Sequence, residues 1–305
     1  MATVLMTGAT SFTGCHVARI LVDRGFEVIG TLTRPEIAYD TPLLRARRGH
    51  SAIPTWCSEA PFGSDRMRTL LSERRVDVFV NHGARIEGYR QADFDVARSC
   101  EASLRHVDEV MRALVAAGCR RVVHTGTFFE PDEPTAGEPA GSRYGESKGR
   151  TWEGIRDAAL AAGLAVSKVV IPNPIGPLEN PDRLVPSFHR MWRRGEIPVV
   201  RAPDLVRDQL PVTWLARTYL EECERGGAET FVRRPSGFVL RNADFVRKVC
   251  DEISLRSDLA PRFRVEPEPT TEPLRRVNRE PAPELDDAIA CERFWDDYVA
   301  SLATS

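Results

Sequence analysis

The sequence predicts an α/β protein: a doubly wound parallel sheet followed by a smaller C-terminal α/β lobe. Three observations lead there. Over the first 171 residues, short apolar runs alternate with stretches whose apolar residues recur at helical spacing. The first run ends in a glycine-bearing turn, Gly8-Ala9-Thr10-Ser11-Phe12-Thr13-Gly14. After Pro172 the alternation loses its regularity, so residues 1–171 read as one domain and 172–305 mainly as a second lobe, with some segments returning to the first.

The elements follow in order. Thr3 to Thr7 is a short apolar run that reads as a buried strand. Phe12 to Arg24 carries Val17, Ile20 and Leu21 at helical spacing and stops at Gly25. Glu27 to Leu32 is the next strand, completing a β-α-β unit of about 30 residues. Asp65 to Arg75 reads as a helix and Val76 to Asn81 as a strand. Ala92 to Ala117 reads as one long helix closed by Gly118, and Arg121 to Thr125 as a strand. Phe129 to Gly141, rich in Pro, Gly, Glu and Asp, is a loop. Ser142 to Ala162 is a helix stopped by Gly163, and Ala165 to Ile171 a further strand. Beyond it, the strand-like pieces are Ile197 to Val200, Thr230 to Arg233 and Phe263 to Val265. The helical pieces are Val185 to Arg194, Val212 to Arg225, Ala243 to Glu252 and Pro283 to Leu302, with a solvated loop over Glu266 to Pro273.

Composition narrows the function. The net charge of −2 offers no basic footprint for nucleic acid or a membrane surface. The N-terminal residues lack the pattern of a leader, and no run of about 18 apolar residues exists, so a cytoplasmic protein with no membrane span is expected. The seven cysteines are scattered, odd in number and never spaced as CxxC, which argues for reduced thiols and against a disulfide framework or metal site. Only three of the 42 basic residues are lysines: Lys148, Lys168 and Lys248.

The turn from Gly8 to Gly14 sits between a strand and a helix. Glycines there permit a tight turn and a close backbone approach to a pyrophosphate, and the helix N-terminus offers free N–H groups and a favourable dipole. This makes the first domain Rossmann-type, with Gly8, Thr10, Ser11, Phe12, Thr13 and Gly14 as cofactor contacts. Ser11 stands where a GxxGxxG pattern has its middle glycine, and a serine does not adopt positive φ cheaply. The second strand ends in Thr31-Leu32-Thr33-Arg34, with no acid to meet a ribose 2′-hydroxyl. Arg34, helped by Thr33, suits a 2′-phosphate, so NADP(H) is favoured and NAD remains possible.

Tyr144-Gly145-Glu146-Ser147-Lys148 places Tyr144 and Lys148 at i and i+4 on one helix face. A tyrosine, with a reference pKa of about 10, exchanges protons poorly near neutrality, and lowering it by about three pH units requires roughly 4 kcal/mol. A neighbouring ammonium contributes to that. With five tyrosines and three lysines in 305 residues, chance yields such a spacing about 0.05 times. Thr127 follows a strand, where its hydroxyl can share a substrate oxygen with Tyr144.

Together these pieces resemble the extended short-chain dehydrogenase/reductase superfamily, in particular its nucleotide-sugar epimerase/dehydratase/reductase branch. The resemblance runs from Thr3 to about Ala216 and more faintly beyond. Thr7 to Gly14 resembles the TGxxGxxG motif, and Asn81-His82-Gly83-Ala84 the segment lining the cofactor pocket. Val122 to Thr127 resembles the strand carrying the catalytic Ser/Thr, and Tyr144 and Lys148 match the catalytic pair. Pro172-Asn173-Pro174-Ile175-Gly176-Pro177 resembles the substrate-loop motif, and Arg207-Asp208 the step whose arginine meets a nucleotide-sugar diphosphate.

The resemblance implies cofactor contacts at His82, Gly83, Ala84, Tyr144, Lys148 and Pro172. It implies substrate contacts at Arg85, Thr127, Asn173, Leu184, Val185 and Arg207, and catalysis by Thr127, Tyr144 and Lys148. Members that dehydrate the sugar place acids directly after the catalytic Ser/Thr, where this chain has Phe128 and Phe129, so a dehydratase is disfavoured. The missing acid after the second strand argues against a tightly held NAD. The expected reaction is NADPH-dependent reduction of a keto group, at C4 of a nucleotide-linked deoxysugar. The alternatives are an NAD-dependent epimerase, a reductase of a non-sugar carbonyl, and a non-catalytic dinucleotide sensor. A homodimer through the helices at 92–117 and 142–162 is the family habit.

Overall fold

The computed structural model describes residues 1–85, 88, 91, 93–133, 142–270 and 272–303. In chain order the first stretch comprises β1 (Thr3–Thr7), α1 (Phe12–Asp23), β2 (Glu27–Thr31), α2 (Pro42–Ser51), β3 (Thr55–Cys57), α3 (Asp65–Glu73) and β4 (Val78–Asn81). Next come α4 (Val96–Leu104), α5 (Val107–Ala116), β5 (Arg121–Thr127), α6 (Arg143–Ala161) and β6 (Ala165–Ile171). They are followed by β7 (Asn173–Ile175), α7 (Leu184–Arg193), β8 (Val199–Val200), β9 (Val206–Pro211), α8 (Val212–Glu224) and β10 (Phe231–Arg233). The chain closes with β11 (Pro235–Ser236), β12 (Phe238–Arg241), α9 (Asn242–Arg256), β13 (Arg264–Val265), β14 (Arg275–Arg276), β15 (Glu280–Pro281) and α10 (Ala288–Ala303).

The described residues fall into two compact units. The first takes in 1–133, 142–171 and 215–234, and the second 172–214 and 235–303. In the first, seven parallel strands run in the order β10-β6-β5-β4-β1-β2-β3. Every residue of β1, β4 and β5 is buried, as strands covered by helices on both faces require. Leu5, Phe79, Val122 and Val166 from four adjacent strands pack with Met67, Met111, Leu114, Trp152 and Ile155 from the helices. The order reverses between β1 and β4, so the ends of those strands form a switch point where such sheets take ligands.

Most elements lie where the sequence places them. The strands β7, β9, β11, β12, β14 and β15 are additional to those expected, too short or too polar for an alternation to register, and four further differences stand out. The helix expected over 92–117 is two helices, α4 and α5, broken at Arg105 and His106, the latter at φ 50°; its start at Ala92 lies outside the described residues. At the break the Arg105 carbonyl turns out of the helix and packs against Gly63, where a Cβ would stand 1.9 Å from its oxygen. β5 continues two residues beyond Thr125, which makes Thr127 the last residue of the strand. α2 and β3 were not foreseen, because Pro42–Ser51 is strongly polar and three residues are too few for an alternation to register. A 3-10 turn over Pro283–Asp286 precedes α10 where one helix was expected. Of the loop expected over 129–141, residues 134–141 lie outside the described residues.

In the second unit β9 is central, pairing with β12 antiparallel and with β7 and β14 in parallel. The buried Asp208 carboxylate accepts the N–H groups of Gly237 (2.7 Å) and Asn278 (3.0 Å). Trp214, Phe238, Phe294, Trp295 and Tyr298 form its aromatic core.

Candidate active site

The glycine turn is built by close approach. Gly8 sits at φ +71°, and a Cβ on it would stand 2.8 Å from the Gly83 backbone. A Cβ on Gly14 would stand 2.2 Å from the Gly8 carbonyl oxygen. Both positions therefore require glycine. The Thr7 hydroxyl accepts the Gly83 N–H at 2.8 Å, which ties the turn to the segment after β4. Ser11 corrects an expectation: at φ −74°, ψ 168° it needs no positive φ. It is the N-cap of α1, and its Oγ accepts the Gly14 N–H at 3.0 Å. Thr10 is half-buried in the turn, while Phe12 and Thr13 are buried in the first turn of α1.

Ser11 Oγ also lies 2.9 Å from His82 Nε2. On the other side of the ring, Nδ1 lies 2.9 Å from Thr125 Oγ1, and Thr125 Oγ1 lies 2.6 Å from the Tyr219 hydroxyl. Burial, with the Lys148 cation beside it, pushes the His82 imidazole down to about 3, so the ring is neutral.

After β2, Thr33 and Arg34 are exposed. The Arg34 guanidinium lies 5.2 Å from the centre of the Tyr39 ring. The Tyr39 hydroxyl meets Thr33 through its N–H (3.1 Å) and Oγ1 (3.0 Å). Among the described residues no carboxylate pairs with Arg34, and the first acid after β2, Glu36, is engaged by Arg48.

Tyr144 lies in the first turn of α6, whose N-cap Ser142 accepts the Gly145 N–H at 2.9 Å. It is half-buried between the rings of Phe94 and Phe129, with centroids 6.3 and 6.4 Å away and both contacts edge-on. Gly145 brings α6 against the loop after β5: a Cβ there would stand 1.8 Å from the Phe129 carbonyl oxygen. One turn along, Lys148 is buried at 4% exposure. Among the described residues its ammonium has neither a hydrogen bond nor an ion pair. Burial, countered by Glu130 and reinforced by the Lys168 cation, lowers it to about 8.

Thr127 is buried at the end of β5, and its N–H donates to Glu130 Oε1 at 2.7 Å. Glu130 Oε2 accepts from Lys168 Nζ at 2.9 Å, and Lys168 also meets Glu133 at 2.7 Å. Both Glu130 oxygens are thus engaged and the side chain is 1% exposed. The first acid after Thr127 is a structural group.

The structure therefore brings the glycine turn, His82, Gly83, Thr127, Tyr144 and Lys148 onto the C-terminal ends of β1, β4 and β5 and the start of α6. Ala84 and Arg85 follow directly and are half-buried. Pro172, Asn173, Leu184, Val185 and Arg207 belong to the second unit. Asn173 opens β7, half-buried, and faces Gln209 of β9 in the register. Leu184 opens α7 at 41% exposure and Val185 is buried. Arg207 is buried and engaged within its own unit, with Glu272 at 2.8 Å and the carbonyls of Val206 and Pro273 at 2.9 and 3.0 Å.

Sequence reasoning missed Tyr39, Glu130, Lys168 and Tyr219. The rare lysine Lys168 and an acid three residues past Thr127 were visible, but nothing local told that they would be buried together.

The residues fit a dinucleotide. Two glycines are held by backbone contact, a helix N-terminus lies behind them, and a buried ammonium lacks a partner among the described residues. The family model described as "NAD dependent epimerase/dehydratase family" matches residues 4–221. No curated protein matches the chain. Among solved structures, UDP-glucose 4-epimerase from Thermotoga maritima is 16% identical, with 99% of each chain covered and a TM-score of 0.74. UDP-glucuronic acid 4-epimerase from Bacillus cereus is 15% identical, again over 99% of each chain, at 0.75. A dTDP-glucose 4,6-dehydratase from Streptomyces venezuelae is 19% identical over 99% of this chain and 97% of its own, at 0.72. At these identities the likeness establishes the fold. No described helix is long and apolar enough to cross a membrane.

Proposed function

The chain belongs to the NAD-dependent epimerase/dehydratase family of extended short-chain dehydrogenases/reductases, and from that premise we propose that it reduces the C4 keto group of a nucleotide-linked deoxysugar with NADPH. The observation that carries the cofactor half is the end of β2. Arg34 is free of any carboxylate among the described residues, Tyr39 lies beneath it, and no acid stands where a ribose 2′-hydroxyl would be met. A guanidinium beside a threonine hydroxyl suits a 2′-phosphate.

The bound cofactor supplies the hydride. Tyr144 donates a proton to the oxygen on which negative charge develops. Thr127, its backbone held by Glu130, presents its hydroxyl to the same oxygen. Lys148 acts through charge: a desolvated ammonium one helical turn from the phenol favours the phenolate, and ribose hydroxyls would give it the acceptors it lacks among the described residues. Phe128 and Phe129 follow Thr127, and Glu130 is fully engaged, which speaks against elimination, a step that needs a free acid beside Thr127. In the second unit, Asn173, Leu184, Val185 and Arg207 are the proposed contacts for the nucleotide sugar.

A second reading, an epimerase retaining NAD through a closed redox cycle, draws on the 4-epimerases among the related structures. Cofactor released from the purified protein, together with NADPH consumption on 4-keto sugar nucleotides, separates the two. A reductase releases little NAD and oxidises NADPH with the substrate. Stoichiometric bound NAD and no net NADPH oxidation would make it an epimerase.

A further inference from the structure

We propose that Ser11, His82, Thr125 and Tyr219 form a hydrogen-bonded chain with one fixed direction, which frees the Ser11 hydroxyl proton for a phosphate oxygen of the dinucleotide. The inference rests on the reading of this site as a dinucleotide site. It gives Ser11, which replaces a glycine of the usual turn, a role that glycine does not have.

The direction follows from counting donors and acceptors. Tyr219 is fully buried and its one hydrogen-bond partner among the described residues is Thr125 Oγ1, at 2.6 Å. If Tyr219 accepted, its own proton would be buried without an acceptor, a loss larger than a typical hydrogen bond gains. A phenol is also a stronger donor than an aliphatic hydroxyl, in keeping with the short contact. Tyr219 therefore donates to Thr125.

Thr125 is also buried, and its remaining partner is His82 Nδ1 at 2.9 Å. Its proton goes there, so Nδ1 is the acceptor. A neutral imidazole with Nδ1 accepting carries its proton on Nε2. Nε2 then donates to Ser11 Oγ at 2.9 Å. Ser11 Oγ already accepts the Gly14 N–H, so both of its lone pairs are used. What remains on Ser11 is one O–H, half-exposed, with no acceptor among the described residues. It stands at the N-terminus of α1, where N–H groups and the helix dipole already favour an anion.

Reversing the chain would point the Ser11 proton at His82 and remove it from the ligand. Tyr219, on α8, is thus the group that holds Ser11, on the opposite end of the chain, in its donating state. It acts as a positioning residue, through Thr125 and His82.

The test uses the full-length protein and two readouts. Protein with 15N-labelled histidine, with the His82 signals assigned by their loss in His82→Asn, is expected to show Nδ1 unprotonated and Nε2 protonated without any ligand. NADPH affinity, measured by fluorescence titration, is expected to fall about three- to tenfold in Tyr219→Phe, with a shift of the His82 tautomer toward Nδ1–H. A wild-type His82 protonated on Nδ1 overturns the inference, even should Tyr219→Phe fail to fold. Unchanged NADPH affinity in a folded Tyr219→Phe overturns it alone and leaves the functional reading intact. A wild-type protein that binds neither NADPH nor NADH overturns both.

Discussion

At the scale of single residues, the proposed chemistry centres on Lys148 and its surroundings. The side chain is 4% exposed, and no carboxylate forms an ion pair with it among the described residues. A drop from the ordinary lysine value of 10.5 to about 8 corresponds to on the order of 3 kcal/mol against the charged form. The unfolded chain binds this proton more tightly than the folded one. Stability should therefore rise with pH between about 8 and 10.5 and carry the full cost below 8, where both states are protonated. Lys148→Met should consequently stabilise the ligand-free protein at pH 7 by about 1–3 kcal/mol while abolishing turnover. Urea midpoints of both proteins at pH 7 and 10 check this, and the gap should narrow at the higher pH. Thr127→Val should keep the fold and lose roughly 10²-fold in turnover with little change in NADPH affinity, as expected of a group that meets only the reacting oxygen.

At the scale of elements, glycines set where loops and helices meet. Gly14 faces the Gly8 carbonyl, Gly145 the Phe129 carbonyl and Gly63 the Arg105 carbonyl, each too close for a Cβ. Gly145→Ala should push α6 from the loop after β5 and displace Tyr144 relative to Thr127. The expected result is a loss of turnover of at least tenfold, greater than the loss in NADPH affinity, since a displacement of about 1 Å at a reacting centre is costly. Steady-state kinetics beside binding titrations measure it. These contacts also explain what could be read in advance. The β-α-β start, α6 and β6 were legible because apolar spacing and glycine stops lie within a few residues of each other. The break between α4 and α5 was hidden because Gly63, against which the Arg105 carbonyl packs, stands more than forty residues away. Likewise Tyr144 and Lys148 were proposed from their spacing, whereas Tyr219 and Glu130 meet Thr125 and Thr127 only through tertiary contact.

For the molecule as a whole, the first unit is tied together by a buried charge cluster. Lys168 on β6 meets Glu130 and Glu133 after β5, and Glu133 meets Arg234 just past β10 at 2.6 Å. Lys168→Met would leave two buried carboxylates short of a partner and should cost about 3–5 kcal/mol in urea unfolding. The second unit begins at Pro172, where the strand–helix alternation of the sequence lapses. β10 pairs with β6 in the first sheet, a placement its three residues could not announce, since so short a strand carries no address. The account as a whole stands on Tyr144 as the proton donor beside a dinucleotide. Its most direct test is the rate of NADPH oxidation on a nucleotide-linked 4-keto-deoxysugar, compared between the wild type and Tyr144→Phe at saturating NADPH. The account predicts a fall of at least 10²-fold with NADPH affinity nearly unchanged, and a variant that turns over at the wild-type rate would contradict it.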